Sequence, residues 1–327
     1  MKKIAVMGSG SWGIALAILL NKNGNEVKIW SYTQKECNEI NLNRENKNCL
    51  PGIKIPKEIL VSNDNKIILD GADFVIIAMP SKFIRENLQK FSIPENAIII
   101  NVAKGIEEGT FLRISEIIEQ VCRNKKIVTL SGPTHAEEVS RNLPTTCVAA
   151  SKNIELAKIV QKLFNNEFFR VYTTSDIIGV ELGSALKNII ALASGIADGL
   201  GFGDNTKAAI ITRGILEIVR LGEKLGAKSE TFYGLSGMGD LVVTCISNHS
   251  RNRRAGILLG QGVPLDETLK KVNMVVEGVS NAKAVNDLAK KFDIDMPIVF
   301  EINKMLYEGK SPRQSVLDLM LRDAKDE

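Results

Sequence analysis

A chain of 327 residues exceeds one ordinary hydrophobic core and predicts two domains. Its 44% hydrophobic and 24% charged residues are typical of a folded globular protein, and a formal net charge of +4 is too small to argue for a nucleic-acid or membrane-surface partner. The five cysteines (Cys37, Cys49, Cys122, Cys147, Cys245) include no C-x-x-C pair and only two histidines accompany them, which points to reduced thiols and away from any metal site.

Met1 leads directly into an apolar strand pattern that leaves no room for a signal peptide. Apolar stretches are broken by Gly, Asp or Lys before ~18 residues, so no membrane span and a cytoplasmic location are expected. Runs at Lys3–Met7, Val27–Trp30, Phe74–Met79, Ala97–Val102, Lys126–Leu130, Thr146–Ala149 and Phe168–Tyr172 predict strands. Several are apolar throughout, as strands covered on both faces must be. Amphipathic segments Ile14–Asn23, Phe83–Lys90, Phe111–Arg123 and Ile154–Phe164 alternate with them, which predicts a mainly parallel, doubly wound sheet. From Asp176 onward the pattern is helical, over Ile189–Asp198, Ala208–Leu225, Asp266–Lys271, Asn281–Phe292 and Pro297–Tyr307. The domain boundary is placed near Thr174–Gly179.

Gly8-Ser9-Gly10-Ser11-Trp12-Gly13 follows the first strand and opens a helix. In such a turn the first glycine makes the bend, the second lets the backbone approach a pyrophosphate, and the third lets helix and strand pack closely. The helix N-terminus then meets the phosphates with its free amides and positive dipole end. Residues 1–177 are therefore expected to form a Rossmann-type dinucleotide-binding domain, and 178–327 an all-α substrate-binding and catalytic domain, with the active site in the cleft between them. The second strand ends Trp30-Ser31-Tyr32-Thr33, with no acid to bind the ribose hydroxyls and with Lys35 close by. A 2′-phosphate can then be accommodated, so NADP is expected, with NAD accepted too.

Several polar clusters interrupt apolar surroundings. Lys104-Gly105 and Ser131-Gly132-Pro133-Thr134 follow strands at the carboxyl edge where ligands bind in open α/β sheets, although surface loops would read the same way. Lys187-Asn188 lies in a stretch rich in small residues, where a partly buried ammonium needs a partner; a lysine on the solvated side of the helix is the alternative. Asp240 and Thr244, four apart, share one helical face, and Asp240 is either that partner or a helix cap. Ser250 reads as an N-cap that puts Arg251 and Asn252 in a first turn, where a bound anion is the natural compensation for the cation; a solvated basic turn is the alternative.

In this order and spacing the segments resemble bacterial-type NAD(P)-dependent glycerol-3-phosphate dehydrogenase over nearly the whole chain. The likeness runs through Gly8–Gly13, Val102–Gly105, Ser131–Thr134, Leu186-Lys187-Asn188, Gly199–Gly203, Gly237–Thr244, Ser250–Arg254 and Val275–Gly278. The resemblance implies reduction of dihydroxyacetone phosphate to sn-glycerol 3-phosphate for phospholipid synthesis. It implies Lys187 as proton donor, Lys104 assisting at the carbonyl oxygen, and Asp240 with Thr244 orienting Lys187. Gly132, Thr134, Asn188, Ser250, Arg251 and Asn252 would hold the substrate. Gly8, Gly10, Ser11, Trp12, Gly13, Tyr32, Lys104, Ala136, Arg251, Val275 and Glu277 match cofactor positions for NADP or NAD. Tyr32 departs from the His or Arg often found there and cannot pair with a 2′-phosphate as Arg would. A homodimer is expected from helical domains of this type.

Other dehydrogenases with this layout fit less well. A hydroxyacyl thioester enzyme needs a catalytic histidine, and His135 and His249 are the only candidates. A sugar-nucleotide dehydrogenase needs a nucleophilic cysteine, for which Cys245 alone is available. A dinucleotide-sensing regulator of transcription should carry a DNA-reading helix on a basic face, and none is evident.

Overall fold

Aliphatic runs too short for helices pair into one eight-stranded sheet. The strands are β1 (Lys3–Met7), β2 (Glu26–Trp30), β3 (Leu60–Ser62), β4 (Phe74–Ile77), β5 (Ile98–Asn101), β6 (Ile127–Ser131), β7 (Thr145–Ala150) and β8 (Phe169–Thr174). They lie in the order β3-β2-β1-β4-β5-β6-β7-β8. Every pair is parallel except β6–β7. The strand order reverses direction on either side of β1, and such a switch point opens a crevice at the carboxyl ends of the strands. The structure is a computed structural model that describes all residues except 123–125, 325 and 327. It comprises two units, Met1–Lys104 with Leu112–Glu181, and Gly105–Phe111 with Leu182–Glu327.

In the first unit helices α1 (Ser11–Lys22), α2 (Gln34–Asn43), α3 (Asn65–Leu69), α4 (Ile84–Leu88), α5 (Ile114–Cys122), α6 (Ala136–Val139) and α7 (Ile154–Phe164) accompany the sheet. Two hydrophobic clusters form, one including Val6, Leu16, Ile29 and Val128, the other including Met7, Val75, Ile99 and Ile118. Alternate residues of the central strands thus feed opposite layers, as a sheet buried on both faces requires. Helix α8 (Ile177–Gly199) leads into the second unit, and no strand follows it among the described residues. Helices α9 (Asp204–Lys224), α10 (Ser229–Phe232), α11 (Asp240–Ile246), α12 (Arg251–Gly260), α13 (Leu265–Val272), α14 (Glu277–Lys291), α15 (Pro297–Tyr307) and α16 (Pro312–Met320) complete that unit.

The structure alters several sequence expectations. Strand β3 is only three residues long and escapes any period-2 test. Helix α1 begins at Ser11 and contains Gly13, and α8 runs unbroken from Ile177 through both the small-residue stretch around Lys187 and the periodic stretch that starts at Ile189. Interior glycines lower helix propensity by ~1 kcal/mol each, and burial overrides that preference here. Phe111 has φ +61° and lies outside α5, and the expected end of that helix at Arg123 falls outside the described residues. Ser81–Phe83 is a 3₁₀ turn before α4. Helix α8 has the length and apolar composition of a membrane-crossing helix, but Gly179, Gly183 and Lys187 interrupt it as the sequence reading expects, and 94% of its most apolar stretch is buried inside the structure.

Two buried carboxylates brace these units. Burial raises the pKa of Glu181 against the pull of Arg113, which donates to Oε2 at 2.7 Å, and of Ser115, whose amide and hydroxyl donate at 2.9 and 2.6 Å. Asn101 Nδ2 also donates to Glu181 at 3.2 Å, and its Oδ1 accepts the Ala103 amide, fixing the turn that carries Lys104. In the second unit Glu217, 1% exposed on α9, accepts the amides of Ile298 and Val299 at 2.7 and 3.2 Å in the first turn of α15. Burial pushes Glu217 up to about 8, opposed by those amides and by Arg220, with Asp295 adding to the rise. The folded chain therefore binds this proton more tightly than the unfolded chain. Its contribution to stability falls as pH rises from the ordinary value of 4.5 to about 8. Glu217→Gln has no such proton to lose. Its urea midpoint should decline less between about pH 5 and pH 8 than that of the natural chain, and equal slopes would contradict the assignment.

Candidate active site

The glycine turn sits at the carboxyl end of β1, beside the switch point. Gly8 has φ +140°, and a Cβ there would lie 2.4 Å from the Ala78 carbonyl oxygen. A Cβ on Gly13 would lie 2.1 Å from the Gly8 carbonyl oxygen, so α1 can start against the turn only without that atom. At Gly10 a Cβ would meet nothing within 4 Å. Gly10 is the N-cap of α1 and offers no side-chain cap to the first-turn amides, which Ser11 and half-buried Trp12 begin. An open approach over uncapped amides at a helix N-terminus fits the pyrophosphate of a dinucleotide.

The end of β2 differs from its sequence reading. Trp30 is paired with Met7, and its carbonyl accepts the Gly8 amide at 3.1 Å, so Ser31 stands beside the glycine turn. The hydroxyl of Ser9 donates to Ser31 Oγ at 3.0 Å, and that of Ser31 donates to Glu36 Oε2 at 2.8 Å. Asn46 Nδ2 donates both to Glu36 Oε1, at 3.0 Å, and to the Ser9 carbonyl, at 2.9 Å. A carboxylate therefore does lie at this strand end, returned there by the first turn of α2. Thr33 caps that helix by accepting the Glu36 amide. The Thr33-x-x-Glu36 spacing, a capping-box signature, was the available signal. Tyr32 stands apart, 70% exposed and edge-on to Trp30 with ring centroids 6.0 Å apart.

Elsewhere in the first unit, half-buried Lys104 follows β5 on the turn fixed by Asn101. Gly132, just after β6, has φ +156°, and a Cβ there would lie 2.8 Å from Cys147 Cα. The Thr134 hydroxyl donates to the Gly132 carbonyl at 3.1 Å, and Ala136 opens α6. The neighbouring Ser131 hydroxyl is buried without a hydrogen-bond partner among the described residues.

The second unit assembles the other candidates. Lys187, 5% exposed in α8, donates to Asp240 Oδ1 and, at 2.7 Å, to the Thr244 hydroxyl. Thr244 in turn donates to the Asp240 carbonyl. Asp240 is not a helix cap: the π-helical turn Leu235–Gly239 runs into α11, and the carboxylate faces the ammonium. Asn252 Nδ2 donates to Asn188 Oδ1 at 2.9 Å, and its own Oδ1 accepts the Gly278 amide at 2.8 Å. Ser250 caps α12 as expected, accepting the Arg253 amide at 3.2 Å. Arg251 in the first turn reaches the Val275 carbonyl at 3.1 Å, just before Glu277 opens α14. Arg253 instead pairs with Asp198, which also holds Lys207. Cys245 is fully buried, and desolvation pushes its thiol up to about 12, so it supplies no nucleophile at neutral pH. His249 is exposed in the turn before α12.

Comparison with known proteins agrees with this geometry. Family models described as the N-terminus and C-terminus of NAD-dependent glycerol-3-phosphate dehydrogenase match residues 3–157 and 176–317. A glycerol-3-phosphate dehydrogenase (NAD(P)+) of Fusobacterium nucleatum subsp. nucleatum is 54% identical over 99% of this chain and 98% of its own. One from Agathobacter rectalis is 50% identical over 100% and 98%. The crystal structure of glycerol-3-phosphate dehydrogenase from Coxiella burnetii superposes with a TM-score of 0.94 at 38% identity, covering 98% of this chain and 99% of that one. The chain belongs to the NAD-dependent glycerol-3-phosphate dehydrogenase family.

Proposed function

We infer that this chain interconverts dihydroxyacetone phosphate and sn-glycerol 3-phosphate with NADPH or NADH, supplying glycerol 3-phosphate for phospholipid synthesis. The observation that carries the reading is the Lys187 ammonium, buried and held by Asp240 and Thr244. Reduction of a ketone needs a hydride, a proton and stabilisation of charge on oxygen, and the nicotinamide supplies the hydride when bound. Lys187 gives a proton from Nζ to the carbonyl oxygen and takes it back in the reverse direction. Asp240 and Thr244 hold Nζ in one place, which shortens the search for a reactive geometry. Lys104 assists at the same oxygen from a turn whose conformation Asn101 sets.

Arg251, Ser250 and Asn252 hold the phosphate of the substrate at the first turn of α12, where amides and guanidinium both favour an anion. Gly132, Thr134 and Asn188 complete the substrate contacts. Gly8, Gly10, Ser11, Trp12 and Gly13 carry the pyrophosphate, and Tyr32, Lys104, Ala136, Arg251, Val275 and Glu277 flank the rest of the cofactor. The protein works in the cytoplasm as a homodimer with no nucleic-acid or membrane partner. The small net charge and the burial of α8 support the absence of a nucleic-acid or membrane partner.

Adding dihydroxyacetone phosphate to enzyme and NADPH should bleach the nicotinamide absorbance as glycerol 3-phosphate forms; absence of turnover with either cofactor would favour a dinucleotide-binding regulator. Lys187→Met should lower kcat by ~10²–10⁴-fold while cofactor affinity stays within a few fold, since general acid catalysis is worth about that much. Full activity in that variant would remove Lys187 from the mechanism.

The pair also bears on stability. Asp240→Leu leaves an ammonium buried without its counter-charge and should cost about 3–5 kcal/mol in urea unfolding. Combining it with Lys187→Met should restore part of that loss, and additive losses would show that the two side chains do not act as a pair.

A further inference from the structure

We propose that Glu36 discriminates between the two nicotinamide dinucleotides, accepting the ribose hydroxyls of NAD and repelling the 2′-phosphate of NADP. The inference rests on the placement of the pyrophosphate over the glycine turn given above. With the pyrophosphate there, the adenosine ribose lies against the carboxyl end of the second strand of the sheet. That end is Ser31, whose side chain is too short to place a charge at the ribose. Glu36 makes good the difference: its carboxylate lies 2.8 Å from Ser31 Oγ, itself 3.0 Å from Ser9 Oγ inside the glycine motif.

This carboxylate is fixed. Ser9, Ser31 and Asn46 are all buried, and Asn46 clamps Glu36 Oε1 and the Ser9 carbonyl with the same amide group. Both of its hydrogen-bond partners, Ser31 and Asn46, are neutral, so the negative charge is not cancelled by the groups that hold it. Each carboxylate oxygen has a further lone pair with which to accept a hydroxyl. A ribose diol offers such donors, whereas a phosphate offers like charge. Tyr32, the next residue along, presents its ring to solvent.

A purely structural role for Glu36, bracing Asn46 and the turn, would affect both cofactors equally, and the test separates the two. Dissociation constants for NADH and NADPH are measured by calorimetry on the natural chain and on Glu36→Gln, each pair of titrations on one preparation. The natural chain should bind NADH more tightly. In Glu36→Gln the NADPH-to-NADH affinity ratio should rise about tenfold at low salt, and the gain should shrink as added salt screens the charge. A ratio unchanged by the substitution, with both affinities falling together, would overturn the proposal, as would a gain indifferent to salt. If glutamine fails to hold Asn46, Glu36→Ala with a thermal melt as fold control gives the same ratio. Binding needs no turnover, so failure of the proposed reaction would appear separately, as normal cofactor affinity without reduction of dihydroxyacetone phosphate.

Discussion

Lys187 loses nearly all contact with water in α8, and an ammonium in that position is tolerable only if its partners are fixed in place. That requirement propagates through the helical unit. Asp240 and Thr244 tie α11 to α8 at the ammonium. The next residue, Asn188, ties α12 through Asn252, which in turn holds the first turn of α14 at Gly278. Ser194 donates to the Cys245 carbonyl, and Asn281 donates to the Ala185 carbonyl. Each polar position on an otherwise apolar helix therefore specifies where one neighbour must sit. Glycines allow the approach: a Cβ on Gly195 would lie 2.1 Å from the Arg253 carbonyl oxygen.

The nucleotide face of the first unit follows a different logic. Its shape comes from atoms that are absent, since the turn and the start of α1 occupy space that side chains at Gly8 and Gly13 would need. What side chains add lies beneath and beside the turn, where Ser9, Ser31, Glu36 and Asn46 form one connected set. The turn that carries Lys104 is set by a similar device, with Asn101 linking its backbone to the buried Glu181 and thence to Arg113.

Much of this was legible in the sequence because the signals were local. Apolar runs gave seven of the eight strands, and the periodicity of Ile154–Phe164 and Pro297–Tyr307 reproduced both helices end for end. The partnership of Lys187 with Asp240 was legible as one of two possibilities, since a four-residue spacing says that Asp240 and Thr244 share a face but not what that face meets. The missing pieces depend on contacts distant in sequence. β3 exists because Lys28, Ile29 and Trp30 offer it an edge, not because three residues prefer to be extended. Glu36 is not legible as a strand-end acid because it reaches the end of β2 from the first turn of the following helix and not along the strand.

The two kinds of charged group carry different consequences for how such a protein can change. Asp240 and Lys187 are removed from solvent together, so either one alone is a liability and the pair must be kept or replaced as a unit. Glu36 is only half-buried and its partners are neutral, so its charge can be lost without stranding an opposite one. The group assigned to proton transfer thus sits where substitution is structurally expensive, and the group assigned to cofactor choice sits where it is cheap. A family that handles one reaction with either NAD or NADP has the second kind of site to vary, and at the end of β2 this chain has a serine, a tyrosine and a returning glutamate instead of a strand-end acid or base.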